Sequence, residues 1–180
     1  PVSFVKSGTN TQRLTGTNTY TGTTTVTGGT LVLGLTTALP GTSAVTLSGG
    51  TVALADGVTP ATTGTLTVSG PATIDFANPA TTTTLTFGNS SAVSWTGGTL
   101  TVVNWNGSTA GGGTSQLFVG SDATGLTSGQ LSQITINGLP VAILGTGEVV
   151  PIPEPATLLG VSAAGLGLAG FVRRRRRVRG

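Results

Sequence analysis

One pattern occurs four times within residues 1–103. A short run of alternating apolar and polar residues leads into Thr or Ser, then into Gly followed by Gly or Pro, and then into a second alternating run. A fixed period of this kind is typical of folds in which each repeat is one supersecondary unit. The turn glycines of the four copies, which are 21, 21 and 27 residues apart, are Gly28, Gly49, Gly70 and Gly97. The longer third step indicates an insertion of six residues, which we place in the threonine run at residues 81–84.

Each alternating run has the two-residue period of a strand with one buried face, because Val, Leu, Ile or Phe alternates with Thr, Ser or Ala. A single copy is too small to bury that face, whereas copies stacked at about 4.8 Å would share a continuous core. The sequence therefore predicts an all-β protein with a β-solenoid over residues 1–103, in particular a right-handed parallel β-helix. The alternative is an antiparallel sandwich of hairpins closed at the Gly-Gly dipeptides. The equal first steps favour the solenoid, because a hairpin meander has no reason to keep a long fixed period.

The charge of the chain is concentrated at one end. Six of its eight basic residues lie between Arg173 and Arg179. The rest of the chain contains two basic residues, Lys6 and Arg13, and five acidic residues, so its net charge is −3. A nucleic-acid-binding body needs Lys and Arg along its surface to neutralise phosphates. We therefore predict no nucleic-acid partner.

The side chains available for chemistry are few. Cys and His are absent, which removes thiol nucleophiles, imidazole bases and Cys/His metal sites. The Gly-Gly turns also lack the Gly-x-Asp continuation of calcium-binding nonapeptide repeats. Asp56 and Asp75 are the candidate pair for glycoside hydrolysis, but they lie seven and five residues after their turn glycines and so out of register. We predict no catalytic residue, no metal, no cofactor and no enzymatic activity.

After residue 103 the pattern changes. A loop at residues 106–116 precedes further apolar segments, and residues 128–134 could form one helical turn capped by Ser128. We interpret residues 104–150 as a cap that covers the open edge of the solenoid, because unpaired edge strands recruit other chains. Trp95, Trp105 and Tyr20 could stack on sugars, but burial is the expected role of so few aromatic residues.

Residues 151–180 contain three features in order. Pro153, Glu154 and Pro155 form an extended strip, because proline blocks helix formation. An apolar run of 17 residues follows from Ala156 to Val172, which as a helix would span roughly 25 Å and approach the thickness of a bilayer core. Arginines next to this predicted transmembrane helix place its end in the cytoplasm and the β body on the opposite side. This cluster comprises Arg173, Arg174, Arg175, Arg176, Arg177 and Arg179.

Two segments resemble known families. Residues 14–34, with the run Asn18-Thr19-Tyr20-Thr21-Gly22, resemble the autotransporter-associated β-strand repeat of surface-protein passenger domains. The three-part tail resembles the PEP-CTERM sorting signal of Gram-negative bacteria. The second resemblance implies that an exosortase, a membrane cysteine transpeptidase, recognises and processes the tail while the protein passes through the inner membrane towards the cell surface or the exterior.

These observations predict an exported, non-enzymatic structural protein of the cell surface or of the extracellular polysaccharide matrix of a biofilm. The alternative is a surface adhesin or glycan-binding module that uses the strand faces or the loop at residues 104–116. An enzyme acting on polysaccharide through Asp56 and Asp75 is the third hypothesis.

Overall fold

Two sheets of mostly parallel strands run along the molecule, and each coil of the chain contributes one strand to each sheet. The computed structural model describes residues 1–153. The elements are β1 Phe4–Lys6, β2 Thr11–Leu14, β3 Thr24–Val26, β4 Thr30–Leu33, β5 Val45–Leu47, β6 Thr51–Leu54, β7 Ala61–Val68, β8 Ala72–Asp75, β9 Thr83–Gly88, β10 Leu100–Val103, β11 Ser115–Val119, α1 Ser128–Leu131, β12 Ile134–Ile136, β13 Leu139–Ile143 and β14 Val149–Pro151. Sheet 1 has the order β1-β3-β5-β7-β9-β11, and sheet 2 has the order β2-β4-β6-β8-β10-β12-β13-β14.

The predicted all-β solenoid is confirmed, because the strands from β1 to β12 pair in parallel with the strand of the next coil. The antiparallel sandwich is therefore wrong. Right-handed winding stays a prediction, and it agrees with the general rule for parallel crossovers. Apolar side chains in register form columns through the core, and one column is Leu31, Val52, Ile74, Val102 and Ile136.

The Gly-Gly dipeptides turn the chain between the two sheets. Gly29 and Gly50 have φ angles of 64° and 69°, in the left-handed region that favours glycine. A Cβ on Gly50 would lie 2.6 Å from the carbonyl oxygen of Gly29 in the coil before it. The corners of successive coils stack so closely that the second glycine of the dipeptide is required there.

The insertion in the third step is not in the threonine run. Residues 83–88 form β9, in which Thr83, Leu85 and Phe87 face the core. The repeat pattern predicts a strand in the alternating run before Gly97, residues 91–95, and this prediction is wrong. That segment belongs to the turn between β9 and β10, which starts where Asn89 Oδ1 accepts a hydrogen bond of 3.0 Å from the backbone N–H of Ser91. Such a local side-chain bond offers the backbone an alternative to the strand ladder.

The C-terminal coil ends in antiparallel strands. The helical turn predicted near residue 128 is confirmed as α1, but its N-cap is Thr127 and not Ser128, because Thr127 and Gln130 form a reciprocal capping box. The strand β13 then pairs antiparallel with β12, and β14 pairs antiparallel with β13. Parallel stacking therefore continues to β12, and the predicted domain boundaries at residues 103 and 150 stay predictions.

No helix within residues 1–153 is long and apolar enough to cross a membrane. The predicted transmembrane helix from Ala156 to Val172 lies outside the described residues.

Candidate functional site

The chain leaves the solenoid through its closed C-terminal end. In β14, Val149 and Val150 are 0% and 2% exposed, and Pro151 pairs with Val141 of β13. The backbone N–H of Ile152 donates to the carbonyl oxygen of Pro140 at 2.8 Å. The side chain of Ile152 is 45% exposed. The solenoid therefore holds the chain in place as far as Ile152.

The segment just before β14 also joins the two sheets. The backbone N–H of Val119, at the end of β11, donates to the carbonyl oxygen of Gly147 at 2.9 Å. Phe118 and Glu148 form an antiparallel bridge. Since β11 is the last strand of sheet 1 and β14 the last strand of sheet 2, this stretch covers the open end of the core.

Glu148 is a buried carboxylate in this closure. Its side chain is 4% exposed, and both of its oxygens accept from the backbone N–H of Gly112, at 3.0 and 2.9 Å. The two basic residues of the described chain, Lys6 and Arg13, belong to the first coil at the opposite end. Burial therefore raises the pKa of Glu148 above its ordinary value, although the Gly112 N–H opposes the rise.

The sign of this shift fixes its effect on stability. Because the folded pKa lies above the unfolded one, the folded state binds the Glu148 proton more tightly than the unfolded state does. The protonated carboxyl is compatible with its buried position, and ionisation opposes folding. The contribution of Glu148 to the free energy of unfolding therefore falls as pH rises from 4.5, the ordinary pKa of a glutamate, through the raised pKa of the folded state.

A triglycine loop makes room for this carboxylate. Gly111, Gly112 and Gly113 have φ angles of 93°, 78° and 91°. A Cβ on Gly111 would lie 2.9 Å from Glu148 Oε2 and 2.9 Å from Leu144 Cδ1. The loop that the sequence predicts at residues 106–116 is thus held by Glu148 against the segment that leads into β14.

The predicted sorting residues fall on both sides of the described boundary. Pro153 is described and exposed. The remaining predicted residues lie outside the described range. They are Glu154, Pro155, Ala156, Val172, Arg173, Arg174, Arg175, Arg176, Arg177 and Arg179.

The two candidate carboxylates each connect neighbouring coils. Asp56 Oδ1 accepts from the N–H and the hydroxyl of Thr81 at 2.9 and 2.8 Å, and these bonds hold the pKa of Asp56 below its ordinary value. Asp75 Oδ1 accepts from Nδ2 of Asn104 at 2.8 Å. A role in fastening loops accounts for both carboxylates.

The tryptophans are part of the core. Trp95 and Trp105 are buried, which confirms the expectation of burial. Trp95 Nε1 donates to the carbonyl oxygen of Leu66 at 3.1 Å. Tyr20 is half-buried and stacks on Phe4 with ring centroids 6.1 Å apart. Trp105 therefore offers no open platform for a sugar.

A column of threonines on the outer face of sheet 2 was missed by the sequence reasoning. One threonine per coil occupies the same register position, at the strand spacing of about 4.8 Å. The column consists of Thr11, Thr30, Thr51, Thr73, Thr101 and Thr135.

Within residues 1–153 no group of three or more acidic, His or Cys residues could hold a metal ion.

The fold is that of a repeat-built parallel β-solenoid whose closed end leads directly into the tail. Two family models match the chain. The model described as passenger-associated-transport-repeat matches residues 4–33, which hold β1 to β4. The model described as PEP-CTERM protein-sorting motif matches residues 151–177. No curated protein and no solved structure matches the chain.

Both resemblances found in the sequence are thus confirmed, and the chain carries a PEP-CTERM sorting motif. The repeat match begins ten residues before the block at residues 14–34, because it includes the whole first coil. A motif of this kind indicates an exported protein that passes through the cell envelope towards the surface and whose tail is a substrate for an exosortase.

Proposed function

We propose that this protein is a non-enzymatic structural component of the cell surface or of the extracellular polysaccharide matrix, and that an exosortase removes its tail. The observation that carries the proposal is the sorting motif that continues directly from a closed solenoid end. A stacked solenoid is an extended and stable body of the kind that a matrix component needs.

The use of the charged residues supports a structural role. Lys6 is buried, and its Nζ donates to the carbonyl oxygens of Ser7 and Gly28 at 2.7 and 3.0 Å. Asp56 and Glu148 likewise hold neighbouring segments together. These side chains stabilise loops.

The order of the tail supports transit through the inner membrane. The apolar run from Ala156 to Val172 is followed at once by the arginine cluster, an order that keeps the basic end in the cytoplasm. The solenoid would then stand on the outer side of that membrane, attached until the tail is cut.

The test is to express the tagged full-length precursor with and without the exosortase and to locate its C-terminus by intact-mass spectrometry. We expect a tail-free form only when the enzyme is present, and we expect Glu154→Ala to block its formation. Asp122→Asn, which changes a carboxylate outside the tail, is the matched control and should be processed like the native chain. Secreted protein that retains the arginine cluster in the presence of the enzyme would contradict the proposal.

A glycan-binding module is the second candidate function, and the threonine column favours it. The column presents a hydroxyl and a methyl group once per coil along sheet 2, and an extended neutral polysaccharide offers hydroxyls at a similarly regular repeat. Thr51→Lys and Thr73→Lys should abolish binding to insoluble polysaccharide. Thr46→Lys, at an outward position of sheet 1, is the matched control and should leave binding intact. Equal binding by all three variants would rule out this surface.

A further inference from the structure

The sorting motif and the folded body share residues. The motif match begins at Pro151, which is buried and is the last residue of β14. The next residue, Ile152, is tied to β13 by the bond from its N–H to the carbonyl oxygen of Pro140. The first two residues of the motif are therefore structural parts of the cap, here residues 139–152, which close the C-terminal end of the solenoid.

The peptide bonds on the N-terminal side of Ile152 are protected by several contacts at once. Three residues of β14 are in register with β13, and Val149 and Val150 close the core. Upstream, Gly147 and Glu148 attach the same stretch to β11 and to the triglycine loop. A processing enzyme could reach these bonds only after the end of the solenoid has opened.

We propose that the closed end of the solenoid sets the N-terminal limit of processing, so that the cut falls C-terminal to Ile152 and the processed protein keeps the whole of β14. This inference rests on the proposed function, since it concerns where the tail is removed. In the cut, one backbone C–N bond breaks and the carbonyl carbon bonds to an acceptor nucleophile, which is water or an amine. The released amino group takes up the proton that the acceptor loses.

The limit also determines how the enzyme approaches. From Ile152 to Glu154 the chain can extend by at most about 7 Å, at 3.3–3.6 Å per residue. An enzyme that recognises Glu154 therefore works directly beside the cap, with no linker between them. The processed protein would retain a closed end, and its core would stay covered.

The experiment has two arms on the full chain. In the first, the C-terminus formed by the exosortase is mapped by intact-mass spectrometry, and we expect no product that ends before Ile152. In the second, the purified protein is treated with a broad-specificity protease without the exosortase. The resistant core is expected to end at or beyond Ile152, and a folded core that ends between residues 147 and 151 would overturn the inference.

Two variants sharpen the second arm. Val150→Ala weakens the buried part of β14 and should increase cleavage upstream of Ile152 by about tenfold, because cleavage follows the population of the open form. Val5→Ala is the matched control, since Val5 is 59% exposed on β1 at the opposite end. Equal upstream cleavage in both variants would count against the inference. If Val150→Ala does not fold, the residue at which the protease-resistant core of the native chain ends tests the inference.

The two arms separate the two proposals. Absence of any exosortase product would contradict the proposed function, while the protease-resistant core would still show whether the cap protects β14. A product that ends before Ile152 would support processing and overturn the limit set by the cap.

Discussion

Replacing Gly50 by alanine tests whether the close stacking of the corners holds the solenoid together. The left-handed φ of Gly50 costs an alanine about 1–2 kcal/mol. The new Cβ would also lie 2.6 Å from the carbonyl oxygen of Gly29 and 2.9 Å from Gly28 Cα. Both neighbours are backbone atoms, so relief requires the coils to move apart, at a further cost of about 1–3 kcal/mol. We expect Gly50→Ala to lower the free energy of unfolding by about 2–5 kcal/mol.

The chain offers a matched control for this substitution. Gly97 has φ 73° at the corresponding turn of a later coil, but a Cβ there would have no neighbour within 4 Å. Gly97→Ala should therefore lower the free energy of unfolding by about 1–2 kcal/mol, the conformational cost alone.

The assay is thermal unfolding followed by calorimetry and circular dichroism, with all variants at the same concentration. For a chain of this size each kcal/mol corresponds to about 2–4 °C in Tm. Asparagine tolerates the left-handed region better than alanine does, so Asn should recover stability at position 97 and not at position 50. Equal losses for Gly50→Ala and Gly97→Ala would refute the reasoning, because the stacking contact would then contribute nothing.

Three further changes test the cap and the coil loops. Glu148→Gln should gain stability relative to the native chain as pH rises above 4.5, as measured by urea unfolding at a series of pH values, and a constant difference would argue against a buried carboxylate. Thr127→Ala should lower the free energy of unfolding by about 1 kcal/mol, whereas Ser128→Ala should have almost no effect; the reverse order would restore Ser128 as the cap. Asn104→Ala removes the hydrogen bond to Asp75 and places alanine at φ 53°, so the free energy of unfolding should fall by about 1–3 kcal/mol. Asn104→Gly, which relieves the backbone strain, should lower the free energy of unfolding by less in the same experiment.

The repeat period was readable from the sequence because it depends on local patterns. Alternation reports which face of a strand is buried, and Gly-Gly reports a corner that needs left-handed backbone. Both signals depend on residues next to each other in the chain. The parallel stacking of the coils followed from the equal steps between Gly28, Gly49 and Gly70.

The same local patterns could not decide which segment of the fifth coil is the strand. Residues 83–88 and residues 91–95 both alternate between apolar and polar side chains. The first segment forms β9 because five of its residues pair with β11, while Asn89 and Ser90 fold the second into a turn. The choice depends on a strand that lies about thirty residues further along the chain.

The sequence by itself determined the solenoid and the sorting motif, since a fixed period and a three-part tail are linear properties of the chain. Tertiary structure decided how the two are joined. Glu148 meets Gly112 across 36 residues, and Pro151 pairs with Val141 in a hairpin that closes both sheets. Such contacts arise only when the stacked coils bring the end of β11 next to β14. The start of the sorting motif is therefore part of the core, which its amino-acid pattern alone does not reveal.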